Sequence, residues 1–61
     1  MALKDNLRKA IRSGEDLARS CEIFAREAGN EQAAKIFLRM AESILSSVAE
    51  LRSELKKYCG T

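Results

Sequence analysis

An all-α fold, a two-helix antiparallel hairpin, is what this sequence predicts, and three observations predict it. Apolar residues recur in alternating steps of three and four along two long stretches, that register breaks once at Gly29-Asn30, and no proline occurs anywhere in the 61 residues. The chain is expected to be one domain, a single hairpin spanning 1–61.

The first helix is expected from about residue 3 to residue 28, on the stripe Leu3, Leu7, Ala10, Gly14, Leu17, Cys21, Phe24 and Ala28. Continued in phase, that stripe would next reach Glu31 and Lys35. The second stripe restarts at Ala34 instead, so the seam does not run through. Gly29 suits the left-handed position just past a helix C-terminus, and Asn30 suits an N-cap, with Glu31 well placed against the positive end of the next helix dipole. The chain is therefore expected to turn at 29–30. The second helix, about 31 to 58, follows Ala34, Phe37, Ala41, Ile44, Val48, Leu51, Leu55 and Tyr58.

The apolar surface is wider than one hairpin seam requires. Ile11, Ala18 and Ala25 flank the first stripe, Leu38 and Leu45 flank the second on one side, and Ala33 and Met40 flank it on the other. Below roughly 70–80 residues a single core rarely supplies enough stability without disulfides, metal or oligomerisation. Two hairpins are thus expected to dimerise into a four-helix bundle. Phe24, Phe37, Leu38 and Met40 are expected to form the apolar centre near the loop, and Ile11, Leu17, Cys21, Ile44, Leu45, Val48 and Leu51 to carry the packing further along. Gly14 has two readings of equal weight, a close helix approach or a tolerated weak point.

Eleven basic and nine acidic side chains give a net charge of +2, and the two signs are interleaved. Asp5–Lys9, Arg12–Asp16, Glu15–Arg19, Glu22–Arg26 and Glu31–Lys35 stand four apart, a spacing worth ~0.2–0.5 kcal/mol per pair on a helix surface. This describes a solvated face. Lys4, Arg8, Lys9 and Arg12 gather at the start of the first helix, with Arg52, Lys56 and Lys57 expected nearby, but no aromatic or groove-reading motif accompanies them.

Cys21 and Cys59 are expected about 30 Å apart along the hairpin at 1.5 Å rise per residue, too far to pair within one chain. Cys21 reads as a small core hydrophobe and Cys59 as a free thiol near a frayed end. With no disulfide framework, signal peptide or apolar run of membrane length, a cytoplasmic setting is expected.

Histidine and tryptophan are absent. Without histidine, the commonest general base, the commonest transition-metal ligand and every histidine-dependent triad are missing. Cys21 would need a basic partner or a helix N-terminus to become a nucleophile, and it lies mid-helix on the apolar side. No catalytic, cofactor-binding or metal-binding residue is therefore expected.

The stretch Phe24 to Glu42, FAREAGNEQAAKIFLRMAE, resembles the loop-flanking part of rubrerythrin-like and ferritin-like hairpins. It lacks their Glu-x-x-His pair, since Leu45 stands three residues beyond Glu42. Over almost the whole chain, Glu22, Phe24-Ala25, Asn30, Gln32-Ala33, Lys35, Phe37, Ala41 and Val48 resemble a family of short uncharacterised helical-hairpin proteins, a domain of unknown function found chiefly in endospore-forming bacteria. That resemblance implies a small soluble helical protein connected with sporulation, with no catalytic residues to carry over. Members usually continue into a polar, acidic tail, whereas this chain ends Lys56-Lys57-Tyr58-Cys59-Gly60-Thr61.

The expected function is a non-enzymatic structural or protein-interaction module acting as a homodimeric helical bundle, with an unidentified protein as a further partner and no membrane association. Two alternatives stand beside it. One is a degenerate ferritin-like bundle that holds a small ligand or metal, which acidic side chains turned inward around Cys21 and Met40 would favour. The other is a basic module for nucleic acid or an acidic protein, which requires Lys4, Arg8, Arg12, Arg52 and Lys56 to share a face.

Overall fold

The computed structural model describes residues 2–59, and the chain forms two helices, α1 (Ala2–Glu27) and α2 (Glu31–Cys59), folded back on each other. The hairpin is a rod whose Cα atoms extend 45 × 15 × 14 Å. Each helix has charges that complement its dipole at both ends. Asp5 and Glu31 lie in the first turns, and Arg26 and Lys56-Lys57 in the last.

The reversal is built from two adjacent residues with different tasks. Gly29 takes φ of +64°, the left-handed region, and a Cβ there would meet nothing within 4 Å. Glycine is favoured here for its backbone conformation, not for space. Asn30 starts α2: its side-chain Oδ1 accepts the Ala33 N–H at 2.8 Å and its carbonyl accepts the Ala34 N–H at 3.0 Å. Such an N-cap is worth about 1 kcal/mol.

Between the helices small side chains make the centre of the contact, with larger aliphatic residues toward its ends. Leu7, Ile11, Ala18, Cys21 and Ala25 are the buried residues of α1, and Ala41 and Val48 those of α2. Ala18, Cys21 and Ala41 meet at the centre, with Phe37 and Ile44 packed against them. Gly14 lies so close to α2 that a Cβ on it would stand 2.7 Å from Val48 Cγ2 and 3.4 Å from Ile44 Cγ2. Of its two readings, the close approach is the one observed.

The seam of α1 is rotated by one position from the expected stripe. Leu7, Gly14 and Cys21 belong to it, but Leu3, Leu17 and Phe24 are 44–48% exposed, while Ile11, Ala18 and Ala25 occupy the interior in their place. The physical reason is separation. Two helices that touch through Gly14, Ala18 and Ala41 bring many atoms within dispersion range and leave no room between them for Leu17 or Phe24. In α2 the seam holds Phe37, Ala41, Ile44, Val48, Leu51 and Leu55, whereas Tyr58 is exposed.

The ion pairs also depart from the expected spacing. Asp5–Arg8 (3.8 Å), Asp16–Arg19 (3.2 Å) and Glu54–Lys57 (3.2 Å) are three residues apart, and Glu15 of α1 pairs with Arg52 of α2. Charges spaced by three share a helix face as readily as those spaced by four. The Glu15–Arg52 bridge between helices is the informative one, because it identifies which flanks adjoin.

Candidate interaction surface

Nine large apolar side chains stand 38–49% exposed: Leu3, Leu17, Ile23, Phe24, Ile36, Leu38, Met40, Leu45 and Tyr58. The buried core of the described residues contains only three large aliphatic side chains, Leu7, Ile11 and Val48. Much large apolar surface is therefore left half-exposed by the single hairpin.

Glu15 pairs with Arg52, so the flank of α1 that carries Glu15 adjoins the flank of α2 that carries Arg52. Residues seven apart repeat a position on the helix face. Arg8 and Glu22 thus lie with Glu15, and Leu38 and Leu45 with Arg52. Two shallow concavities follow this side: Glu15, Ala18, Arg19, Glu22 and Leu45 line one, and Glu22, Ala25, Arg26, Ala34 and Leu38 line the other. This first face is a mosaic of both charges around two leucines.

The opposite flanks form a second face of different character. On α1 it carries Leu3, Ala10, Leu17 and Phe24, with Asn6, Ser13 and Ser20 one position further round. On α2 it carries Ala33, Met40 and Ser47, with Ile36 and Ser43 beside them, and toward the open end the same positions are taken by Glu50, Glu54 and Lys57. At its loop end the Phe24 and Phe37 rings meet at 5.6 Å between centroids, tilted by 60°, a favourable edge-on geometry. Leu38 and Met40, expected to bury together, lie on opposite faces. A single flat contact can cover one or the other.

Among the packing residues expected from sequence, Ile11, Cys21 and Val48 are buried, Phe37, Ile44 and Leu51 are half-buried, and Leu17, Phe24, Leu38, Met40 and Leu45 are exposed in the hairpin. The turn residues Gly29 and Asn30 sit at the reversal. Ile23 and Ile36 add to the outward apolar surface, and the run of three large apolar residues Ile36-Phe37-Leu38, too wide for one seam position, is the sequence signal for the latter.

Cys21 is 2% exposed and enclosed by Ala18 and Ala41. A maleimide reagent is expected to modify Cys21 only on unfolding, so peptide mapping after native labelling should find the Cys21 peptide unmodified. Rapid native modification there would show that the seam opens. The expectation for the Cys59 side chain falls outside the described residues.

No polar or charged residue is buried, and no group of three or more potential metal ligands occurs among the described residues. The inward acids that a ferritin-like site would use around Cys21 and Met40 are not present there. Of the basic residues near the open end, Arg8 meets Asp5 and Arg52 meets Glu15, while Asp5, Arg8, Lys9 and Arg12 line one concavity. Acids are thus interspersed with the cations.

No helix of the described residues is long and apolar enough to cross a membrane. In comparison with known proteins, no family, no curated protein and no solved structure matches the chain.

Proposed function

We propose that this protein is a non-enzymatic interaction module that pairs with a second copy of itself to form a four-helix bundle. The observation that carries the reading is the apolar surface left outside the seam: Leu3, Leu17, Phe24, Ile36, Leu38, Met40 and Leu45 are each 44–49% exposed around a narrow core centred on Ala18, Cys21 and Ala41. A 61-residue hairpin with so slight a core gains its missing burial from a partner. The absence of histidine from the sequence and the enclosure of Cys21 support a role in binding, not catalysis. The resemblance to hairpin proteins of endospore-forming bacteria supplies the proposed setting, a cytoplasmic module connected with sporulation. A deletion strain that forms heat-resistant spores at the normal frequency would remove that setting.

Assembly is tested by light scattering under reducing conditions. The expected result is a particle of twice the 6.8 kDa chain mass, with a melting temperature that rises with protein concentration, as mass action requires of a dimer. A folded particle of single-chain mass at every concentration would overturn the reading.

A further inference from the structure

From the distribution of charge over the rod, we infer that the second copy docks on the face whose loop half is uncharged, the one that presents Leu17, Phe24, Ile36 and Met40, and not on the face of Leu38 and Leu45. The inference rests on the proposed dimer and names its interface.

Two arguments carry it, and the first is charge. Two copies of one chain related by a two-fold axis present the same patch to each other, so that a charged patch brings like charges near one another or must be desolvated in a particular register. The face of Leu38 and Leu45 is bordered by Glu15, Glu22, Arg8, Arg19 and Arg52, and Glu15 and Arg52 are already joined within the hairpin. On the opposite side, the loop half of the face, from Phe24 to Ser13 on α1 and from Ile36 to Ser47 on α2, contains only apolar and serine side chains, and Glu50, Glu54 and Lys57 follow on α2 toward the open end. That loop half can meet its own copy without burying a charge. A face whose charges stand only toward one end offers little to select an acidic or basic partner, whereas a second copy presents the same apolar loop half to it.

The second argument is area. A stable specific interface buries about 800 Å² on each partner, which is about a sixth of the 4700 Å² that the single hairpin exposes. One broad side of a rod 45 Å long and 15 Å wide between Cα atoms, widened by its side chains, is of that size when Glu50, Glu54 and Lys57 lie at the wet rim of the contact.

Leu17 and Leu45 make a matched pair for the test, because each is 44% exposed in the single hairpin and they lie on opposite faces. Any difference between Leu17→Glu and Leu45→Glu therefore reports on what lies outside the hairpin. Sedimentation equilibrium over a wide concentration range, with circular dichroism on the same samples, reads both mass and folding. The expected result is that Leu17→Glu weakens dimerisation more than about a thousandfold, whether the freed chain stays helical or unfolds, because each dimer would bury two unpaired carboxylates. Leu45→Glu remains a helical dimer. Met40→Glu, on the same face as Leu17, behaves as Leu17→Glu does. If Leu17→Glu stays dimeric, or if Leu45→Glu dissociates, the face assignment is wrong while the dimer itself stands. If the unaltered protein is monomeric, the proposed function fails and this inference with it.

Discussion

Ala41→Asp is expected to abolish folding, seen as loss of the helical circular dichroism at 222 nm at room temperature, whereas Ala49→Asp on the same helix leaves a folded protein. Both substitutions carry the same change of helix propensity, about 0.5 kcal/mol. They differ in place. Ala41 is 2% exposed and touches Ala18 and Cys21, with Phe37 and Ile44 around it, while Ala49 is on the outer surface. No described side chain of the seam offers an aspartate at position 41 a cation, so its charge would be desolvated without compensation at a cost of several kcal/mol. Stabilities of whole domains are only about 5–15 kcal/mol, and a two-helix hairpin belongs at the low end. In a dimer the change would enter twice. A helical Ala41→Asp protein that melts within a few degrees of the unaltered one would show that the seam between α1 and α2 is not where the stability resides.

The contrast between the two helices shows what sequence pattern can and cannot resolve. The reversal was legible because Gly29 and Asn30 act locally: a left-handed φ and a side-chain cap are properties of two residues, independent of what the helices later touch. The α2 seam was legible because Phe37, Ile44, Val48 and Leu51 leave one dominant stripe. In α1 two registers share Leu7, Gly14, Cys21 and Ala28. One is completed by Leu3, Ala10, Leu17 and Phe24, and the other by Lys4, Ile11, Ala18 and Ala25. Hydrophobicity favours the first, since it avoids Lys4 and collects the larger side chains. The hairpin uses the second, with Lys4 half-buried, because its stem can lie along the apolar surface with the ammonium in water. What decides is the distance between helix axes, a property of both helices together that neither pattern states. The same cause hid the outward apolar surface: side chains expected inside, Leu17 and Phe24 above all, are the ones left half-exposed in the hairpin.

Gly14→Ala is expected to lower the melting temperature by about 4–8 °C, the shift that corresponds to a loss of about 1 kcal/mol in a domain of this size. The direction is opposite to what helix propensity alone would give. A glycine in a helix interior is ordinarily about 1 kcal/mol worse than alanine, so that the added methyl should stabilise. Here the methyl would arrive 2.7 Å from Val48 Cγ2, well inside contact distance. Valine is confined to few χ1 rotamers in a helix, and Ile44 Cγ2, 3.4 Å from the same point, restricts movement in that direction. The helices must then separate, which loosens the contacts of Ala18, Cys21 and Ala41, and overpacking of this kind costs about 1–3 kcal/mol. The explanation can be tested apart from the sign by a double-mutant cycle. Val48→Ala removes the opposing methyl groups, so the Gly14→Ala, Val48→Ala protein should be more stable than the two single losses added together predict, by about 0.5–3 kcal/mol of coupling. An increase in melting temperature for Gly14→Ala alone, or strict additivity in the cycle, would show that α1 and α2 do not meet through Gly14.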